Sequence, residues 1–150
     1  MPLTGPNALT ENDVIEYVCA YLESRSYVIE QRLHTKQTGD DIVAARPDGV
    51  RLFIEAKGST SAQAGSKRHG LGFNSSQVSV HVAEATYRAL KTLSNGDRDI
   101  NRAGIALPDN ELHHRYLSPV QPMLDELGVA IFWVDGDGNV TVQSSWAISA

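Results

Sequence analysis

The stretch from Asp41 to Lys57 restricts the folding of this chain more than any other. Asp41-Ile42-Val43-Ala44-Ala45-Arg46 is a β-favouring run, Pro47-Asp48-Gly49 supplies turn residues, and Val50 to Lys57 follows as a second run. Successive side chains of a strand point to opposite faces. Val50, Leu52, Ile54 and Ala56 therefore belong to one face, and Arg51, Phe53, Glu55 and Lys57 to the other. The pattern predicts a hairpin with an apolar inner face. With a turn made of residues 47 to 49, Arg46 pairs with Val50 and Asp41 falls opposite Glu55. Cross-strand neighbours have Cβ atoms about 5 Å apart, and like charges placed there destabilise a sheet unless something neutralises them. A bound cation would do so.

The rest of the chain supplies elements to cover that hairpin. Thr10 is a good N-cap with Asp13 three positions on, and Val14, Ile15, Val18, Cys19 and Leu22 recur at helical spacing, which predicts a helix from 11 to about 25. Tyr27-Val28-Ile29 reads as a short strand, and residues 35 to 39 as a polar loop. Residues 58 to 74 read as a flexible segment. Ser75 or Ser76 then caps a helix running to about Leu93, stopped by Asn95-Gly96, with Val78, Val82, Ala85, Ala89 and Leu93 as its apolar stripe. Arg102 to Leu107 reads as a strand, Pro119 opens a short helix closed by Gly128, and Val129 to Val134 and Val140 to Gln143 form a last hairpin around Asp135 to Asn139. The order is helix, three strands, helix, strand, then a helix and a terminal hairpin. It predicts an α/β fold with a mixed central sheet flanked by helices.

Length and composition bound the possibilities. A chain of 150 residues with 41% hydrophobic and 21% charged residues fits one globular domain that needs neither disulfides nor a structural metal. Cys19 is the only cysteine, which excludes an intrachain disulfide and a thiolate zinc cluster, and marks a reducing compartment. No apolar run approaches the roughly 20 residues that span a bilayer, and the first residues lack a basic-then-apolar signal, so a cytoplasmic location is expected. A net charge of −5 argues against coating nucleic acid by bulk electrostatics, so any such binding needs a local patch. The one basic cluster is Lys67-Arg68-His69, in a loop rich in Gly, Ser and Ala.

Chemistry gathers where the two strands end. Asp41, Glu55 and the backbone carbonyl of Ala56 make a hard, all-oxygen donor set suited to Mg²⁺ or Mn²⁺, with remaining positions left to water and a substrate phosphate. Such a metal polarises a phosphoryl oxygen and lowers the pKa of a bound water. Lys57, on the same face as Glu55, can hold that water and offset charge developing on phosphorus. Asp40 is the rival ligand: it faces the other side of a regular strand, but a bulge at Gly39 would exchange it with Asp41. The bland alternative is an ordinary Glu55–Lys57 salt bridge on an exposed strand.

Gly39-Asp40-Asp41-Ile42-Val43, then Phe53-Ile54-Glu55-Ala56-Lys57-Gly58, then a helix beginning near Gln77, resembles the PD-(D/E)XK nuclease superfamily, which includes restriction endonucleases and archaeal Holliday-junction resolvases. The resemblance covers residues 11 to about 107 and implies a restriction endonuclease-like αβββαβ core. It maps the superfamily's aspartate to Asp41, its glutamate and lysine to Glu55 and Lys57, and the glutamine of many members to Gln77. The proline that precedes the aspartate in the family is replaced by Asp40. Many members also carry a glutamate on the first helix. Glu11 lies in the angular sector of Val14, Ile15 and Val18 whereas Glu16 falls outside it, so Glu11 is the candidate, although an acid in a first turn is favoured by the helix dipole alone.

The implied activity is metal-dependent hydrolysis of phosphodiester bonds in DNA, by an endonuclease. The other reading is a catalytically silent domain of the same fold that binds nucleic acid or a partner protein. On the second helix Gln77, His81, Glu84 and Arg88 share one polar stripe. Gln77 is positioned for the scissile phosphate or an active-site water, and His81 and Arg88, with Lys67 and Arg68 from the loop, for substrate contacts; the bland alternative is a solvated face with an Arg88–Glu84 pair. Cleavage of both strands is simplest for a homodimer. Asp135-Gly136-Asp137-Gly138-Asn139 resembles the start of a calcium loop, but Val140 and Trp146 stand where that loop needs glycine and glutamate, so it reads as a turn. His113 and His114 are adjacent and diverge on any regular element, which disfavours a shared metal.

Overall fold

A computed structural model of the chain describes residues 8–33, 39–60 and 73–150. Among the described residues, four helices surround a six-stranded mixed sheet: α1 (Glu11–Ser24), β1 (Val28–Arg32), β2 (Ile42–Ala45), β3 (Arg51–Ala56), α2 (Ser75–Ser94), β4 (Asn101–Pro108), α3 (Glu111–Leu117), α4 (Gln121–Leu127), β5 (Ala130–Val134) and β6 (Val140–Gln143). No helix among the described residues is long and apolar enough to cross a membrane.

The strands lie side by side in chain order. β1, β2 and β3 are antiparallel, β3, β4 and β5 are parallel, and β6 returns antiparallel beside β5. The parallel steps require crossovers, and the crossover segments hold α2 and then α3 with α4. Both load one face of the sheet: Val78, Val82, Ala85 and Ala89 of α2, Leu117 of α3 and Leu124 of α4 pack on Ile105, Leu107, Ile131 and Trp133. The opposite face belongs to α1, whose Val14, Ile15, Val18, Cys19 and Leu22 pack on Ile42, Leu52, Ile54, Ala106 and Phe132.

The hairpin forms in the expected register. Ile42 pairs with Ile54 and Ala45 with Arg51, and the Arg46 N–H donates to the Val50 carbonyl at 2.8 Å, so Asp41 continues the ladder opposite Glu55. β3 alternates as the sequence dictates, with Leu52, Ile54 and Ala56 fully buried.

Three expectations need correction. The N-cap of α2 is Asn74, not Ser75 or Ser76: its side chain accepts from the Gln77 N–H while the Gln77 side chain accepts from the Asn74 N–H, at 2.9 Å each. Asn can close this reciprocal cap because its amide oxygen reaches the third residue of the helix, as serine's hydroxyl does. Pro119 does not open the following helix. Its first turn instead contains Pro122, and Gly128, at φ 81°, ends it as expected. An additional helix, α3, stands where no element was expected. Its seven residues span barely two turns, too few for a periodic stripe, and Asn110 caps it by accepting from the His113 N–H at 3.0 Å.

Candidate active site

The site stands where the β2–β3 hairpin ends, between the first turn of α1 and the middle of α2. Asp41 is anchored by the backbone: its Oδ2 accepts from the Ala56 N–H at 2.8 Å. In a strand a residue's N–H and C=O leave toward the same neighbour, so the Ala56 carbonyl also faces the β2 side, and the Lys57 N–H turns the other way, donating to Ala106 at 3.0 Å. The Asp41 and Glu55 carboxyls lie close enough to interact, and a hydrogen bond between them forms only when one is protonated. Burial first, then that bond and the Asp41 charge, push the Glu55 carboxyl up to about 8, against the opposing pull of Lys57 and Arg88. Only 15% of the Glu55 side chain and 12% of Lys57 remain exposed, so these groups interact in a partly dehydrated setting.

Two elements complete the cluster. Glu11, at the first position of α1, is pushed up to about 7 by burial, then by Asp41 and Glu84, while Lys57 pulls it down. It reaches the site because the residue after Lys57 is Gly58. A Cβ on Gly58 would lie 2.4 Å from the Glu11 nitrogen and 2.6 Å from the Thr10 carbonyl carbon, so only a glycine lets the strand end touch the helix start. Ser59 then clamps the contact, its N–H donating to the Leu9 carbonyl at 2.7 Å and its hydroxyl accepting from the Leu9 N–H at 3.0 Å. From α2, Glu84 lies 3.8 Å from the Lys57 ammonium and Arg88 lies 3.9 Å from Glu55, while Lys57 and Glu55 are 4.0 Å apart. These separations exceed ordinary hydrogen bonds, so Lys57 is attracted to both acids and locked to neither. Arg88 also donates to the Gly39 carbonyl at 2.7 Å. Four carboxyl groups thus face two cations.

The expected residues fall into three groups. Asp41, Glu55, Lys57, Ala56 and Glu11 converge. Arg88 joins them directly, so it does not form the helix-surface pair with Glu84. Gln77 spends its side-chain oxygen on the α2 cap. His81 packs edge-on against Phe73 with centroids 4.7 Å apart, and burial, then Lys57, lower its pKa. Its Nδ1 is buried without a partner in the described residues. Lys67, Arg68 and His69 lie outside the described residues. Asp40 lines a separate hollow with Phe53, Thr92, Asn95 and Asn101, away from Glu55. Glu84 is the member that sequence reading passed over. It sits on the polar stripe of α2, but the (i, i+4) spacing to Arg88 pointed to a surface pair, and its actual partner comes from a strand.

The two distractors behave as read: Asp135 Oδ1 accepts from the Asp137 and Asn139 N–H groups to make the β5–β6 turn, His113 is buried, and His114 stacks on Trp133 with centroids 3.7 Å apart. Among the described residues no group of three or more His, Cys, Asp and Glu is arranged to hold a metal ion. Comparison with protein-family models, with curated proteins and with solved structures found no match to this chain.

Proposed function

We propose that this chain is a nuclease of the PD-(D/E)XK type, with a restriction endonuclease-like core, that hydrolyses phosphodiester bonds in DNA with the aid of Mg²⁺ or Mn²⁺. The observation that carries the reading is the half-buried Asp41–Glu55 carboxyl pair, set opposite each other where β2 and β3 end, with the Lys57 ammonium 4.0 Å from Glu55. Two acids brought this close outside water cost stability unless they serve a cation or a proton transfer. The order helix, three strands, helix, strand around them supports the same reading.

A divalent cation suits the donor set, because it would replace the proton that Glu55 retains and balance the excess of carboxylates; Asp41, Glu55 and the Ala56 carbonyl would hold it. When bound it would polarise a phosphoryl oxygen and acidify a nearby water. The remaining work falls to side chains. The Lys57 ammonium orients the attacking water and offsets negative charge growing on phosphorus. Glu11, near half-protonation at neutral pH, is suited to take a proton from that water through its carboxylate. Glu84 keeps the Lys57 ammonium turned toward the site, and Arg88 supplies positive charge for a phosphate beside Glu55.

The test is cleavage of supercoiled, linear, single-stranded and branched DNA with Mg²⁺ or Mn²⁺, comparing wild type with Glu55→Ala. Metal-dependent products from wild type alone are expected. Titration calorimetry with Mn²⁺ separates the failures: no products and no metal binding would leave a silent domain of this fold.

A further inference from the structure

We propose that the solvent-facing crest of α2 binds an unpaired nucleobase stacked on Tyr87, so that the strand cut at this site is single-stranded next to the scissile phosphate; the nucleic-acid substrate rests on the nuclease reading above. Tyr87 is 65% exposed, and Val80 and Leu90 near it on the helix are 57% and 40% exposed. That is costly apolar surface on a helix whose opposite face is already buried in the core. Tyr87 is also the wall between two hollows. One, of about 430 Å³, holds Glu55, Glu84 and Arg88 together with Ala83 and Tyr87. The other, of about 440 Å³, shares Ala83 and Tyr87 and is otherwise lined by uncharged residues, among them Thr86, Leu90 and Tyr116.

Both volumes lie in the range that holds a small ligand, roughly 300–1,000 Å³. Their division of charge is that of a nucleotide: a cation beside the acidic centre for the phosphate, then an aromatic and uncharged surface for the ring. Among the described residues this hollow is lined by no Lys or Arg, which does not suit a duplex backbone, held chiefly through phosphate contacts. Inside a duplex each base face is covered by its neighbours. Only an unstacked base can lie on a protein ring, and such stacking tolerates any base. The position of Tyr87, one residue before Arg88 and one turn from Ala83 and Glu84, places the ring beside the phosphate position.

The experiment is fluorescence anisotropy of the full chain, without divalent cation to prevent cleavage, against a labelled single-stranded DNA, an RNA of the same sequence, and a blunt hairpin duplex. Tyr87→Ala is expected to bind both single strands about tenfold more weakly and the duplex unchanged, while Tyr87→Phe and Tyr87→Trp retain wild-type affinity. The new indole of Tyr87→Trp should be quenched by single strands beyond the change seen in wild type. The DNA and RNA arms show which backbone the site prefers. Equal affinities for Tyr87→Ala and wild type, or an equal loss on strand and duplex, would overturn the proposal. So would a change in sedimentation mass on Tyr87→Ala with oligonucleotide binding intact, which would make the face a protein contact. Cleavage by wild type with Tyr87→Ala fully active sinks the base site and leaves the nuclease standing; Tyr87-dependent binding with no cleavage under any metal does the reverse.

Discussion

At neutral pH Glu55 holds a proton that an exposed glutamate would have lost, since its carboxyl titrates near 8 against an ordinary 4.5. The folded chain therefore binds more protons than the unfolded chain between those values, and stability falls as pH rises through them. In EDTA the folding stability should drop by roughly 3 kcal/mol from pH 5 to pH 8, read as a falling melting temperature, and Glu55→Gln should flatten the slope. On the proposed reading Mn²⁺ would compete with the same proton, so its affinity should rise over that interval, as calorimetry at several pH values would reveal. Lys57→Ala should fold normally and lose about 10²–10³-fold in cleavage rate, the usual cost of removing one group that stabilises transition-state charge; full activity would remove Lys57 from the site. Asp41, Glu55 and Lys57 were legible in the sequence because strand alternation and turn length fix both face and register. Glu84 was not, because its partner is set by how α2 lies across β3, which no local pattern encodes.

At the scale of elements, the contact between β3 and α1 depends on one hydrogen atom. Gly58→Ala would drive a methyl group into the Glu11 backbone, and is expected to cost about 1–3 kcal/mol and to disturb the site. A chemical melt measures the first, and a shift in the pH dependence of cleavage, as the Glu11 carboxyl is displaced, measures the second. Asn74→Ala removes the α2 cap and should cost about 1 kcal/mol while leaving Mn²⁺ affinity intact, since Asn74 touches no carboxylate of the site. The long helices and β2–β6 were legible because their apolar spacing runs over enough residues to identify a period. The seven-residue α3 was not, and the true cap of α2 was obscured by two serines following an asparagine, all of them competent caps.

For the whole molecule, opposing titrations narrow the range of greatest stability. His113, fully buried in α3, is pushed down to about 4 by burial first and then by His81 and His114. A depressed histidine favours the fold above its ordinary 6.5 and withdraws that support as pH falls toward 4. Glu55 and Glu11 act in the other direction as pH rises. With two acids acting against one histidine, stability without metal should peak at about pH 4 to 4.5 and decline above it, and thermal melts in a pH series would test this.

The strand order has a further consequence, for the way the chain comes together. Because every strand lies beside its sequence neighbour, the β2–β3 hairpin can close long before β4 to β6 have arrived. At that moment Asp41 and Glu55 already face each other, while Arg88, further along the chain, is not yet in place. The nascent hairpin thus meets its worst electrostatic conflict first, and refolding should quicken when the medium supplies either protons or divalent cations to stand in for what arrives later.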